Sequence, residues 1–157
     1  MPRYRTQITT DIARDQVFSD LAHFDRAAEW DPGVAEGTML TPEPVGRGSR
    51  FALRAKFLGR TIPLEYEIVD FEAGARVVLR AETPFVRSID TITFASVPVD
   101  SPTTDAGSDT TVVTYDARLE PRRLARLATP LLALAFGRIG DRAAAGLRER
   151  LCSNVVR

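Results

Sequence analysis

The side chains of this chain best suited to moving a proton are few. Asp90 lies in "SIDTITF" (88–94), where a two-residue alternation sends Ile92 and Phe94 to one side and carries Asp90 and Ser88 with them. A carboxyl taken into an apolar interior resists ionisation, so its pKa rises. That suits general acid–base work, or a hydrogen bond to a ligand hydroxyl. Tyr66 in "IPLEYEI" and Tyr115 in "VVTYDARLE" share the inward parity and bring phenol hydroxyls into an apolar lining. Asp90, Tyr66 and Tyr115 are therefore the candidate catalytic residues. The plainer reading, preferred for Asp90, is a structural aspartate paired with Arg87 or a threonine. As core residues, the tyrosines need only a hydrogen-bond partner.

Other chemistries are excluded or left bare. His23 is the only histidine and Cys152 the only cysteine, so a His/Cys/Cys zinc site cannot form. A His23–Cys152 dyad would need the two ends of the chain to meet in a cleft, and nothing suggests it. His23 reads as a helix-end residue favoured by the macrodipole. "GRG" (46–48) is a turn, not a phosphate loop, since neither GxxxxGK[ST] nor a complete GxGxxG is present. No metal and no cofactor are expected. Lys plus Arg and Asp plus Glu both number 21, giving zero net charge, which argues against nucleic acid as a partner. A lone cysteine and the charged start "MPRYRTQITTD" fit a cytoplasmic protein, and no apolar run is long enough to span a bilayer.

These groups need elements to hold them. "RYRTQIT" (3–9) alternates as a strand, with Tyr4, Thr6 and Ile8 on one side. "RDQVFSDLAHF" changes to helical spacing, with Val17, Phe18, Leu21 and Ala22 on one stripe. A second short helix, "RAAEW", follows, capped by Asp25 and stopped by Pro32 and Gly33. About six more strands then follow, joined by hairpins. Charged positions point out, so Phe51, Leu53, Ala55 and Phe57 point in, as do Leu64, Tyr66 and Ile68. Further along, Val77, Leu79 and Ala81 face inward, followed by Ile92 and Phe94, then by Val113, Tyr115, Ala117 and Leu119. Gly59-Arg60 suits a two-residue turn with glycine first, and residues 98–110 read as a long polar hairpin loop. Strands flanked by helices predict an α+β fold with an antiparallel sheet, in one domain over residues 1–157 with its core at about 3–152.

The last element is a helix of roughly 34 Å, from Thr129-Pro130 (cap and first helical position) to about Cys152. Leu132, Phe136, Ile139, Ala143 and Leu147 form an apolar stripe, and Ala133, Gly137, Gly140 and Ala144 a stripe of small residues beside it. Two helical glycines cost roughly 1 kcal/mol each, so something approaches closely there; packing on the sheet is the favoured explanation. Leu131 and Leu134 fall on the opposite side and need a cover. Beside them, Arg122, Arg123 and Arg126 could touch an anionic membrane, although a solvated face is expected of three arginines in a neutral chain.

Three stretches carry a family resemblance. "DQVFSDLAHFDRAAEWDPGV" (15–34), with Trp30 and Pro32, resembles the first helix, short second helix and Trp-x-Pro signature of the START-like helix-grip superfamily (SRPBCC), specifically its polyketide cyclase/dehydratase and lipid-transport branch. "SIDTITF" with "TTVVTYDARLE" is similar to that family's last two strands, and "TPLLALAFGRIGDRAAAGLRERL" to its C-terminal helix. The resemblance spans about residues 3–152 and lies in the order of the stretches. It implies a seven-stranded antiparallel sheet curled around the long helix, two short helices after the first strand, and an apolar cavity between sheet and helix.

The leading expectation is a protein that binds a hydrophobic small molecule of lipid, polyketide or quinone class, acting as monomer or homodimer. The walls expected are Trp30, Phe51, Leu53, Phe57, Leu64, Tyr66, Ile68 and Leu79, with Asp90, Ile92, Phe94 and Tyr115, and Leu132, Phe136 and Ile139 from the helix. An enzyme of the cyclase/aromatase type, with Asp90, Tyr66 or Tyr115 as proton carriers, is the first alternative. A partner-binding domain with a filled interior is the second. Fold-level analogy does not choose among them.

Overall fold

The structure is a computed structural model that describes residues 2–98, 109–122 and 129–152, with side chains of the last segment described from residue 133. Chain order gives β1 (Arg3–Thr10), α1 (Arg14–Ala22), a 3-10 helix (Phe24–Glu29), then β2 (Val34–Met39), β3 (Arg50–Phe57), β4 (Arg60–Glu72), β5 (Arg76–Glu82), β6 (Val86–Val97), β7 (Thr110–Pro121) and α2 (Thr129–Cys152). All seven strands form one antiparallel sheet in the order β1-β7-β6-β5-β4-β3-β2. The α+β architecture is the one the sequence implies, with the short helices after the first strand and the long helix last.

Burial follows the alternation of the sequence. Phe51, Leu53, Tyr66, Ile68, Val77, Leu79, Ala81, Ile92, Phe94, Val113 and Ala117 are all buried on the concave face. Helix α1 covers one end of that face with Val17, Phe18, Leu21 and Ala22. The Phe18 ring meets Phe71 and Phe94 edge-on, at centroid distances of 5.4 and 5.1 Å. Each such apolar side chain contributes about 2 kcal/mol on burial, so this end of the sheet closes as solid core.

Two local expectations need correction. The β3–β4 hairpin pairs Phe57 with Arg60, so its turn residues are Leu58 and Gly59, with glycine second, and both have positive φ (49° and 75°). A two-residue turn of that hand matches strand twist only when both central residues are left-handed, and glycine supplies one of them without strain. Asp25 does not cap the second helix. His23 occupies that position, while Asp25 lies in the first turn with its Oδ1 buried and without a partner among the described residues.

Helix α2 is described over Thr129–Cys152 and lies against β1. Leu147, Leu151 and Ala144 are buried, and Thr10 donates to the Leu151 carbonyl at 2.8 Å. At the same end Arg150 bonds Asp20 of α1 through two nitrogens at 2.8 Å and Glu29 at 2.7 Å. The small-residue stripe divides: a Cβ on Gly140 would stand 2.4 Å from the Tyr4 ring, whereas one on Gly137 would meet nothing within 4 Å. Close approach to the sheet therefore explains Gly140 alone. Gly146, which sequence reading passed over, has the tightest approach of all, because a Cβ there would lie 1.8 Å from the Trp30 carbonyl oxygen. Leu134 is 59% exposed. Leu131, the Thr129-Pro130 cap, the 99–108 loop, Arg123 and Arg126 lie outside the described residues and side chains. No helix among the described residues is long and apolar enough to cross a membrane.

Candidate functional site

Residue size along the strands decides where the concave face is solid and where it is hollow. The strand register aligns Phe51, Tyr66, Ala81, Ser88 and Leu119 in one row across the sheet. The next row runs Ile68, Leu79, Asp90, Ala117 and Tyr4. Alanines and a serine stand in these rows where the neighbouring rows carry larger side chains, and α1 does not reach this end. The result is a cavity of about 670 Å³ between sheet and α2. Its lining includes Leu53, Phe57, Leu64, Tyr66, Trp30, Asp90, Tyr115, Phe136 and Ile139, all expected walls. Phe51, Ile68, Leu79, Ile92 and Phe94 are not in its lining; they are at most 4% exposed and belong to the buried core. Inward parity was right for them, but parity does not say which end of the sheet a helix fills. Leu132 lies outside the described side chains.

The polar groups of the cavity are concentrated. Asp90 is 4% exposed, and its two oxygens accept hydrogen bonds from the Ser88 hydroxyl at 2.9 Å and the Tyr115 hydroxyl at 2.7 Å. The expected pairing with Arg87 does not occur, because Arg87 bonds Glu82 and Glu120 on the other face of the sheet. Burial pushes the Asp90 carboxyl up to about 6, against the two hydroxyl bonds that lower it, and the charge of Asp31 adds to the rise. Tyr66 and Tyr115 are both pushed above the usual phenol range, first by burial and then by the negative charge of Asp90. The Tyr66 hydroxyl lies near that of Ser88, which Asp90 already engages. Phe24 packs edge-on against Tyr66 at 5.0 Å, and Trp30 against Tyr115 at 6.0 Å.

Asp31 was missed from the sequence. It lines the cavity, accepts the Gly33 amide at 2.7 Å, and has its carboxyl raised by burial against the opposing pull of that bond and of Lys56. The signal was the turn "WDPG", where an aspartate bonds the amide two residues on. Lys56 was expected to point away from the interior; it is exposed, yet it reaches the rim, where its ammonium donates to the Pro32 carbonyl at 3.3 Å. Ala81, Ser88 and Ala117 were also passed over as wall residues, although their small size makes the room. His23 bridges the Ser19 carbonyl at 2.8 Å and Glu43 at 2.9 Å, and it is not in the cavity lining.

A curled antiparallel sheet gripping one long helix over a cavity defines the START-like helix-grip class. Solved structures similar to this fold include a START superfamily protein from Mycobacterium smegmatis, 13% identical, with 98% of this chain and 99% of that chain aligned at a TM-score of 0.73. A protein from Thermus thermophilus aligns over 99% of this chain and 100% of that one, at 16% identity and the same TM-score of 0.73. The Zhui aromatase/cyclase from Streptomyces sp. R1128 is 18% identical, with 94% of both chains aligned at a TM-score of 0.63. No curated protein matches by sequence. The family model described as polyketide cyclase/dehydrase and lipid transport matches residues 1–151, and the chain belongs to that family. Fold and family are consistent with the binding of a hydrophobic small molecule.

Proposed function

We propose that the chain acts as a single ligand-binding domain, holding a hydrophobic small molecule of lipid, polyketide or quinone class between the sheet and α2. The observation that carries this reading is the cavity of about 670 Å³, which falls within the range of roughly 300–1,000 Å³ common to small-molecule sites. It also weighs against a partner-binding domain with a filled interior. The test is titration with the neutral fluorescent probe N-phenyl-1-naphthylamine. Saturable binding at one site per chain is expected. Ala117→Leu, which adds side-chain volume to the wall, should weaken probe affinity at least tenfold without lowering the melting midpoint. Absence of saturable binding, or an affinity unmoved by Ala117→Leu, would overturn the reading.

A second reading is favoured by one observation, the Tyr115–Asp90 hydrogen bond beside the cavity. In a cyclase-type reaction, the Asp90 carboxylate would take the proton from a carbon between two carbonyls of a poly-ketone. Tyr115 would then hydrogen-bond the oxygen of the carbonyl whose carbon the resulting carbanion attacks, and the alkoxide so formed would take the proton back from Asp90. Incubation with a linear poly-ketone thioester checks this. A ring-closed product lost in Asp90→Asn would establish the enzyme, and an unaltered thioester would leave the binding protein.

A further inference from the structure

The charges lining the cavity are two carboxylates, Asp90 and Asp31, and one ammonium, that of Lys56 at the rim. Neither Asp90 nor Asp31 has a cation within 4.0 Å among the described residues. Asp90 is held by two neutral hydroxyls, and Asp31 by one backbone amide. Lys56 acts on Asp31 from the rim, where its ammonium donates to the Pro32 carbonyl. Burying a carboxylate without a counter-charge is expensive, and neutral hydrogen bonds offset only part of the cost. Each oxygen of Asp90 accepts one bond and keeps capacity for another donor. Around the same place stand the rings of Trp30, Tyr66 and Tyr115, whose faces attract cations.

We infer that the cavity selects a hydrophobic amine, with its ammonium group set between Asp90, Asp31 and the aromatic rings, and its apolar body along Leu53, Leu64 and Phe136. This rests on the reading that the cavity binds a hydrophobic molecule, and adds which polar group that molecule carries. An ammonium supplies the missing positive charge together with three donors. A neutral alcohol supplies one donor and no charge, so Asp90 keeps no counter-charge and Asp31 only that of Lys56 at the rim. A carboxylate or phosphate head would add a like charge, with no basic side chain beyond Lys56 in the described lining to receive it.

The test displaces N-phenyl-1-naphthylamine from the full chain at pH 7.5 with three molecules of equal chain length, decylamine, decan-1-ol and decanoate, each below the concentration at which it forms micelles. Decylamine should displace the probe at a concentration at least tenfold lower than decan-1-ol, with decanoate weakest. In Asp90→Asn and in Asp31→Asn, the amine-to-alcohol ratio should fall toward one while decan-1-ol itself changes little. Equal or better displacement by decan-1-ol or decanoate in the unmodified chain overturns the amine inference and leaves the binding reading standing. An unchanged ratio in both variants overturns it as well. Failure of the probe to bind at all overturns both. The ranking in the unmodified chain decides the matter even if one variant folds poorly.

Discussion

At Asp90, burial raises the carboxyl to about 6 from an ordinary value near 3.8. The folded chain therefore binds a proton between about pH 4 and 6 that the unfolded chain has released. The contribution of this group to stability grows as pH falls through 6 and is complete near 4. Above 6 the ionised form opposes folding by an amount on the order of 3 kcal/mol. Asp90→Asn removes that term while keeping the shape. Its melting midpoint should exceed that of the unmodified chain at pH 7.5, and this advantage should shrink as pH falls toward 4. Comparing the two proteins cancels Asp20 and Asp116, whose carboxyls are lowered by arginine partners and act in the opposite direction. A midpoint difference independent of pH would show that Asp90 is not buried in its charged form.

Two of the three glycines in helix α2 have opposite surroundings. Gly146 lets the helix backbone settle onto the Trp30 carbonyl, whereas Gly137 faces open space. Gly146→Ala should lower the melting midpoint by an amount corresponding to about 1–3 kcal/mol, because backbone atoms cannot step aside as a flexible side chain can. Gly137→Ala relieves the backbone entropy of glycine in a helix and should stabilise by up to about 1 kcal/mol. Parallel thermal melts of the two variants check both. If both destabilise equally, the close approach at residue 146 is not what positions α2.

On the scale of the molecule, the C-terminal end of α2 is fastened by ion pairs. Arg150 ties the helix to α1 through Asp20 and to the 3-10 helix through Glu29, beside the buried Leu147 and Leu151. The cavity runs along the same helix from Phe136 to Leu147. Arg150→Ala should lose about 1–2 kcal/mol, or roughly 3–6 °C in midpoint for a chain of this size. Arg150 holds the Asp20 carboxyl below its ordinary value, so this stabilisation is present above the unfolded pKa and is lost as pH falls below about 4. The gap between Arg150→Ala and the unmodified chain should therefore narrow in acid. A gap of constant width between pH 7 and 3.5 would assign the effect to lost packing of the arginine stem instead.

The sequence by itself determined the strands, their inward faces and both α-helices, because a period of two or of 3.6 residues is written into the order of apolar and charged side chains. It also marked Asp90, Tyr66 and Tyr115 as inward, since parity alone does that. Tertiary structure decided the rest. Phe51 and Leu53 have the same parity, yet one is core and the other cavity wall, because the segments that pack over the sheet cover only part of its concave face. Gly140 and Gly146 became necessary only when Tyr4 and Trp30, more than a hundred residues earlier, arrived against them. Asp90 met Tyr115 rather than Arg87 because the strand pleat sends Asp90 to the concave face and Arg87 to the other. Asp31 became a cavity residue only when the turn after Trp30 folded against α2. Local order fixes which way a side chain points; what it meets there depends on parts of the chain that folding brings from far away.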